Sequence, residues 1–191
     1  MGENHRWLNE PASWQGNEKT LSLTTDGNTD FWRETFYGFV RDSGHAYLRS
    51  VSGDFTASAT ITGAYEQLYD QAGLMLRLDE ENWIKCGIEY TDGLMHFSVV
   101  VTLGASDWSV IPLHDASPSD AVEVQLTRHG DAVRVQFRFG DAAWQMARLC
   151  PFSAADAEIG VMACSPERAS FEASFRDFTV APPIARALHE D

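Results

Sequence analysis

Residues 71–90, QAGLMLRLDEENWIKCGIEY, place two cations and a carboxylate on one side of a predicted β-hairpin. Side chains alternate across a strand, so Arg77, Lys85 and Glu89 share the polar face, opposite the leucines and isoleucines. Paired cations can bind a carboxylate, a phosphate or electron-rich hydroxyls, and a carboxylate can orient a ligand through hydrogen bonds. The hairpin is therefore the first candidate for a ligand site.

The apolar residues of the hairpin predict its register. With Leu78 opposite Ile84, the polar-face pairs are Arg77 with Lys85, Met75 with Gly87, and Gly73 with Glu89. Like charges directly opposed destabilise a sheet, and glycine inside a strand often marks the close approach of another group. This register predicts a shallow depression with cations at one end, Glu89 at the other and cleared space between them. The alternative is a plain exposed face on which Glu89 bridges Arg77 or Lys85.

Aromatic and polar residues before and after the hairpin extend this candidate site. They come from YEQLYDQ (65–71), from the polar face of LMHFSVVVTL (94–103), and from SDWS (106–109). Aromatic rings can cover the C–H patches of a polyhydroxylated ligand while polar groups bind its hydroxyls or a carboxylate. The candidate ligand-binding residues are Tyr69, Asp70, Gln71, Arg77, Trp83, Lys85, Glu89, Ser98 and Trp108.

Catalysis by this site would need a second acidic group. Two-carboxylate glycoside hydrolysis requires a partner for Glu89, and Glu123 in VEVQLT is a candidate from another strand. Lys85 near Glu89 could also serve acid–base chemistry if burial shifted their pKa values. The sequence contains no nucleophile motif or phosphate-binding loop, so it favours binding over catalysis and predicts no catalytic residue.

Metal and cofactor sites find little support in the sequence. The six histidines lack the spacing of metal ligands and the three cysteines form no C-x-x-C motif, so we predict no metal site and no cofactor. Structural calcium stays open because acidic residues lie near predicted turns, namely Asp26, Asp30, Asp42 and Asp54. We expect His45 to fix the RDSGH turn through Asp42. We also expect Phe31 or Trp32 to close one end of the fold, with Trp32 and Arg33 at the rim of the site as the alternative.

Period-2 alternation along the whole chain indicates the elements that hold these residues. About ten short strands, among them 36–40, 54–63 and 94–103, are separated by turn signals, and 153–158 is a candidate for one helical turn. This pattern predicts an all-β fold in which two antiparallel sheets pack as a sandwich or jelly roll. We expect a single domain over 1–191, with its core at about 7–180 and a frayed C-terminal tail at 181–191.

The composition limits the classes of partner and the cellular location. The net charge of −14 disfavours nucleic acid and anionic membranes. No apolar stretch approaches the ~20 residues of a transmembrane helix, and the N-terminus carries no secretory signal. Cys86, Cys150 and Cys164 are expected to be buried free thiols. A cytoplasmic protein is the prediction.

Several separated motifs, in order along the chain, resemble those of a known family. They are WLNEPASW (7–14), TDFWRETFYGFVRDSGH (29–45), LYDQAGLMLR (68–77), WIKCGIEY (83–90) and SVVVTLGASDWS (98–109). Together they resemble the "regulation of enolase" family of concanavalin A-like lectin/glucanase domains, formerly a domain of unknown function. The resemblance spans residues 7–180 and implies a concanavalin A-like β-sandwich. It also implies carbohydrate binding on the concave sheet and a link to a metabolic enzyme such as enolase.

Three functions follow from the residues and the resemblance together. The first is a non-catalytic, lectin-like domain that binds a small polar ligand, a sugar or sugar acid, on its concave sheet. The second is a protein-interaction regulator of a metabolic enzyme such as enolase, which would need an exposed apolar patch on the convex sheet. The third is an enzyme that acts on sugars through Glu89.

Overall fold

Sixteen β-strands and their connecting turns make up the computed structural model of the protein, which describes residues 5–17 and 19–188. The strands are β1 Arg6–Leu8, β2 Ser13–Gly16, β3 Thr20–Thr24, β4 Phe31–Arg33, β5 Val40–Asp42, β6 His45–Val51, β7 Phe55–Gly63, β8 Gln71–Arg77, β9 Asn82–Thr91, β10 Leu94–Leu103, β11 Ala105–Pro112, β12 Val122–His129, β13 Ala132–Phe139, β14 Gln145–Pro151, β15 Ala157–Cys164 and β16 Glu172–Ala181. Within these ranges no helix occurs, so the helical turn predicted at 153–158 is wrong.

Two seven-stranded antiparallel sheets confirm the predicted sandwich. Sheet A has the order β1-β6-β15-β8-β9-β10-β11, and sheet B has the order β14-β13-β12-β7-β16-β3-β2. A third, two-stranded sheet consists of β4 and β5. None of the described segments is a helix with the length and hydrophobicity that a bilayer crossing requires.

The hydrophobic core lies between the two large sheets, as the period-2 alternation predicts. Leu74 and Leu76 of β8 point inward with Ile84 of β9, and each of them is fully buried. Phe97 of sheet A stacks on Phe137 of sheet B with ring centroids 4.2 Å apart. The three cysteines are buried and free, as predicted.

The polar face of the hairpin is not open to solvent, because residues 28–45 lie across it. We call these residues the covering segment; they include β4 and β5. A second buried cluster joins this segment to sheet A and contains Phe31, Trp32, Met75, Trp83 and Val100, among others. Phe31 and Trp32 therefore pack on the outer face of sheet A and do not plug the end of the sandwich.

The tip of the covering segment differs from the sequence prediction. Residues 36–40 were predicted as a strand, but the strands are β4 and β5, and the tip between them is a turn. Glu34, Phe36 and Gly38 all have positive φ there, and the Gly38 N–H donates to the Glu34 carbonyl at 2.7 Å. The apolar alternation of FYGFV reflects side chains that turn toward and away from sheet A, not a strand.

The observed register of β8 and β9 differs from the predicted one by two residues. The polar-face pairs are Gln71 with Glu89, Gly73 with Gly87, Met75 with Lys85, and Arg77 with Trp83. Arg77 is thus not opposite Lys85, and the prediction of two directly facing cations is wrong. A shift of two residues keeps every side chain on the same face, so the face was assigned correctly although the pairs were not.

The paired glycines serve backbone packing. A Cβ on Gly73 would lie 2.0 Å from the Cys86 carbonyl oxygen, and a Cβ on Gly87 would lie 2.2 Å from the Ala72 carbonyl oxygen. Glycine is therefore required where the two backbones approach each other most closely. Gly87 also borders a recess of about 10 Å³ beneath Glu89 and Ser98, so little of the cleared space that we predicted exists.

The C-terminal residues follow the outer face of sheet B. The Ile184 N–H donates to Thr56 Oγ1 at 3.0 Å, and the Arg134 guanidinium donates to the carbonyls of Ala185 and Ala187 at 3.1 and 2.7 Å. Residues 184, 185 and 187 of the predicted frayed tail are thus hydrogen-bonded to side chains of sheet B, and residues 189–191 lie outside the described part of the chain.

Candidate active site and its surroundings

A cavity of about 140 Å³ lies between the covering segment and sheet A. Its lining comes from the covering segment, from sheet A and from the two loops that precede β8 and β16. The lining residues are Asp30, Trp32, Tyr37, Phe39, Arg41, Tyr69, Gln71, Lys85, Glu89, Val100, Trp108, Pro166 and Glu167.

Three polar side chains of β8 and β9 form the floor of the cavity. Gln71, Lys85 and Glu89 are each no more than 5% exposed. Lys85 Nζ donates to Asp30 Oδ1 of the covering segment at 3.2 Å, and Trp108 Nε1 donates to Glu89 Oε2 at 3.2 Å. The floor is thus an ordered set of hydrogen-bonding groups that Asp30 of the covering segment and Trp108 of β11 in the same sheet hold in place.

Burial and mutual contact shift the ionisation of the floor residues. Burial raises the pKa of Glu89, and Lys85 together with hydrogen bonds from neighbouring side chains offsets only part of the rise. Burial alone would lower the pKa of Lys85, but Asp30 and other nearby groups raise it by more. Lys85 therefore stays protonated at neutral pH, while Glu89 takes up a proton more readily than an exposed glutamate.

Aromatic rings form the walls of the cavity on two sides. Trp32 and Tyr37 meet edge to face with centroids 5.8 Å apart, and Tyr69 and Trp108 do so at 6.4 Å. The hydroxyls of Tyr37 and Tyr69 lie 3.2 Å apart, so the two walls touch. This hydrogen bond and burial raise the pKa of Tyr69 to about 12.

The backbone of Tyr69 has φ of 66°, which is uncommon for a non-glycine residue. Its N–H donates to the Tyr90 carbonyl at 2.7 Å, and its own carbonyl accepts from Gln71 Nε2 at 3.1 Å. Such conformations persist where the surroundings enforce them, and they cluster at ligand sites.

Six of the nine sequence-predicted site residues lie in or beneath the cavity. Tyr69, Gln71, Lys85, Glu89 and Trp108 line it. Ser98 lies beneath, and its Oγ accepts from Trp108 Nε1 at 3.0 Å. Their roles toward a ligand stay predictions.

The other three predicted residues, Arg77, Trp83 and Asp70, have structural contacts outside the cavity. Arg77 forms a two-pronged ion pair with Asp42, with both N–O distances 2.8 Å. Trp83 is buried under the covering segment, its ring centroid 6.1 Å from that of Phe31. Asp70 is fully buried and pairs with Arg168, with an Nη2–Oδ2 distance of 2.6 Å.

Sequence reasoning missed the contribution of the covering segment. Asp30, Tyr37, Phe39 and Arg41 reach the cavity from this segment, while Trp32 was considered only as a rim alternative. The signal was present as an aromatic-rich run between two aspartates, TDFWRETFYGFVRD. The spacing of the apolar residues in this run does not indicate which face of which sheet the segment covers.

The acidic residues considered for calcium have other contacts. Asp30 and Asp42 pair with Lys85 and Arg77, and Asp54 Oδ1 accepts from the Gly130 N–H at 2.7 Å. The described residues contain no group of three or more His, Cys, Asp or Glu side chains placed to hold a metal ion.

His45 was predicted to contact Asp42, but in the structure its Nε2 accepts a hydrogen bond from the Asp26 N–H at 3.0 Å.

Glu123, the candidate second acid for hydrolysis, points away from the cavity. It lies on β12 of sheet B and pairs with Arg138 at 2.8 Å. A larger cavity of about 700 Å³ lies beyond the end of β11, with Ile111, Leu113, Phe137 and Phe139 in its lining. That cavity has a mixed lining, with Asp115, Asp120 and Gln145 beside the apolar residues, and it contains none of the nine predicted site residues.

Comparison with known proteins places the chain in a family. Residues 7–183 match the family described as "Protein of unknown function (DUF1349)". The chain belongs to this family. It is 41% identical to "Regulation of enolase protein 1" of Saccharomyces cerevisiae (strain ATCC 204508 / S288c) over 185 residues, covering 96% of this chain and 92% of that protein. The resemblance stated from the sequence motifs is thereby confirmed.

Two solved structures share the fold of this chain. A structure described as a functionally unknown protein from Saccharomyces cerevisiae superposes with a TM-score of 0.89 at 39% identity, covering 95% of this chain and 97% of that one. "Bacteroides ovatus Xyloglucan PUL GH43B" superposes with a TM-score of 0.71 at 18% identity, covering 95% of this chain but 36% of that protein. At this identity the second match shows a shared sandwich fold alone.

Proposed function

We propose that this protein binds a neutral sugar, without catalysis, in the cavity between the covering segment and sheet A. The observation that carries the proposal is the combination of aromatic walls with the buried polar floor of Gln71, Lys85 and Glu89. Ring faces suit the C–H patches of a sugar, and preordered polar groups suit its hydroxyls. The shared fold with a protein named for xyloglucan is consistent with this class of ligand.

The charges around the cavity favour a neutral sugar over a sugar acid. Lys85 and Arg77 are the cations that the sequence offered to an anion, but each already pairs with an aspartate of the covering segment. Among the lining residues, the acids Asp30, Glu89 and Glu167 outnumber the bases Lys85 and Arg41. A carboxylate on the ligand would have to displace Asp30 from Lys85 or lie near Glu89.

The same contacts favour binding over hydrolysis. Glu89, with its raised pKa, has the character of a proton donor, but the mechanism with two carboxylates needs a second free acid. Asp30 is held by Lys85, and Glu123 is on the other sheet. Sugar turnover that disappears in Glu89→Gln while the fold survives would contradict the proposal.

Binding can be tested on a glycan array followed by calorimetry with the sugars that bind. Replacing Trp108 by alanine removes one wall and should weaken binding at least tenfold, which corresponds to about 1.4 kcal/mol. Trp14 is the matched control, since both tryptophans are 38% exposed but Trp14 lies at the opposite edge of the sandwich. Equal effects of Trp108→Ala and Trp14→Ala, or binding of no sugar at all, would overturn the proposal.

A second candidate function is regulation of a metabolic enzyme such as enolase through direct contact. The specific observation is the 41% identity to a protein named "Regulation of enolase protein 1". Exposed apolar side chains are present on the edge strand β11 of sheet A and also on β14 of sheet B, where Met146 and Leu149 are exposed. Sedimentation velocity of the protein mixed with purified enolase tests this candidate, and unchanged sedimentation of both proteins at micromolar concentrations would exclude a stable complex.

A further inference from the structure

Strand β11 is an unprotected edge of sheet A. The other outermost strands are short or irregular: β1 has 3 residues, β2 has 4, and the ladder between β13 and β14 contains a register shift. β11 has 8 residues and pairs with β10 over its whole length. It contains no lysine or arginine, its one charged residue, Asp107, pairs with Arg148 of β14, and its one proline is at its end. Proteins usually block such an edge with charges, bulges or proline, because it is a template for another strand.

The hydrogen-bonding groups of β11 can be assigned to the two sides of the strand. The Leu113 N–H donates to the Met95 carbonyl at 2.9 Å, which continues the register in which Ile111 is opposite Phe97. Inward-bonded and outward-pointing residues alternate in an antiparallel ladder, so Trp108 and Val110 direct their N–H and C=O groups toward the open edge. Among the described residues, no backbone hydrogen bond of these outward groups occurs.

Three exposed apolar side chains of β11 lead along this edge toward a large groove. Trp108, Val110 and Ile111 are each more than one third exposed. Beyond Ile111 the 700 Å³ cavity opens, with Leu113 and Phe139 in its lining. Edge backbone groups and a contiguous apolar surface together match the way in which an extended peptide adds a strand to a sheet.

Charge indicates the kind of segment that would bind there. Asp115 and Asp120 line the groove, and Asp107 is two thirds exposed although it pairs with Arg148. The whole chain has a net charge of −14, so a second copy would be repelled, whereas a basic segment would be attracted.

We propose that β11 pairs with an extended, basic segment of a partner protein, which adds a strand to sheet A and places its end in the groove beyond Ile111. Neighbouring residues of β11 point to opposite faces of sheet A. The β-branched residues of the partner would therefore pack beside Val110 on one face, and its lysines or arginines would lie on the other face, beside Asp107. Trp108 belongs both to the edge and to the sugar cavity, whereas Val110 lies on the edge and does not line that cavity. Variants of Val110 therefore separate this proposal from the sugar site.

The test uses a displayed library of random dodecapeptides selected on the purified, full-length protein. Enriched peptides should be basic, should alternate β-branched and polar residues, and should bind with lower affinity at higher salt. Val110→Pro removes one outward N–H without touching a bond to β10, and it should weaken binding of these peptides at least tenfold. Leu149→Lys, at an exposed apolar position on β14, is the control and should leave binding unchanged.

Several results would overturn the proposal. They are the absence of enriched peptides, enrichment of acidic peptides, and equal binding by wild type and Val110→Pro. A wild-type dimer that Val110→Pro dissociates, seen by sedimentation, would assign the edge to a second copy instead. If Val110→Pro fails to fold, Val110→Lys serves in its place, since a cation on this edge should repel a basic strand and leave sheet A intact.

Discussion

The surroundings of Lys85 in the structure differ from those that the sequence suggests. In the sequence it is a cation on a polar strand face, available for an anionic ligand. In the structure its side chain is 5% exposed, and its ammonium group lies 3.2 Å from Asp30. A buried charge of this kind depends on its partner, because an unpaired charge in the interior is costly.

Replacing Lys85 by methionine should lower the free energy of unfolding by about 3 kcal/mol, since Asp30 and Glu89 would then share a buried region without a cation. The double variant Lys85→Met with Asp30→Asn should recover part of this loss. Urea unfolding followed by tryptophan fluorescence measures both variants. A single variant as stable as wild type would show that the ion pair contributes nothing to the fold.

The pKa of Glu89 gives a prediction with a defined sign. Because the pKa of Glu89 is raised in the folded state, Glu89 keeps its proton in the native protein at pH values where the unfolded chain has lost it. This pH window begins near 4.3, the usual pKa of glutamate. In this window the contribution of Glu89 to stability falls as pH rises. Glu89→Gln cannot titrate and escapes this loss.

The difference in unfolding free energy, Glu89→Gln minus wild type, should therefore increase between about pH 4 and pH 7. Urea unfolding at a series of pH values measures it. Glu123→Gln is the control, because Glu123 pairs with Arg138 near the surface and has 31% of its side chain exposed. A difference that stays flat with pH for Glu89→Gln would contradict a raised pKa.

At the scale of elements, the covering segment determines how much of the polar face of sheet A a ligand can reach. Two ion pairs attach it to sheet A, Asp30 with Lys85 and Asp42 with Arg77, and the Tyr37 and Tyr69 hydroxyls meet across the cavity. Its tip stands away from the sheet, and Phe36 there is 93% exposed. The segment is thus fixed at its base, while its tip has few contacts.

Asp42→Ala should loosen the base of the covering segment. Arg77 would be left buried without its partner, at a cost of about 3 kcal/mol, and the amides of β4 and β5 should exchange hydrogen faster. Hydrogen exchange with mass spectrometry resolves this segment from the rest of sheet A. Glu123→Ala, which breaks the pair with Arg138 on sheet B, should leave exchange in β4 and β5 unchanged.

At the scale of the whole molecule, net charge should select among ligands. A surface with a net charge of −14 repels anions over distances of about a Debye length, which is ~10 Å at 0.1 M salt. The alternating acids and bases of the cavity do not reverse this field. The acids that line the cavity and the negative charge of the surrounding surface therefore both disfavour an anionic ligand.

If a neutral sugar binds, its uronic acid counterpart should bind at least tenfold more weakly at 20 mM salt, and the difference should shrink at 300 mM. Calorimetry with the matched pair of sugars at the two salt concentrations measures this. A uronic acid that binds more tightly than the neutral sugar would show that Lys85 leaves Asp30 for the ligand, as the cation-based interpretation of the sequence required.

The sequence by itself determined the faces of the strands. Alternation in 71–90 placed Gln71, Lys85 and Glu89 on one side and the leucines on the other, and both sheets of the sandwich follow from similar runs. The register was not determined in this way, because a slip of two residues leaves every face unchanged. Strand β11 was missed because SDWSVIP lacks a clean alternation and lies at an edge, with side chains exposed on both faces.

Only the tertiary structure decided which segment lies on the polar face of sheet A. Periodicity reports that a face is polar, but it contains no information about a segment some 40 residues earlier that packs against it. Asp30 and Asp42 pair with the two cations that the sequence offered to an anionic ligand, and Tyr37 and Trp32 line the cavity that lies over this sheet face. Long-range pairing of charges, and not local pattern, therefore determines what this site can bind.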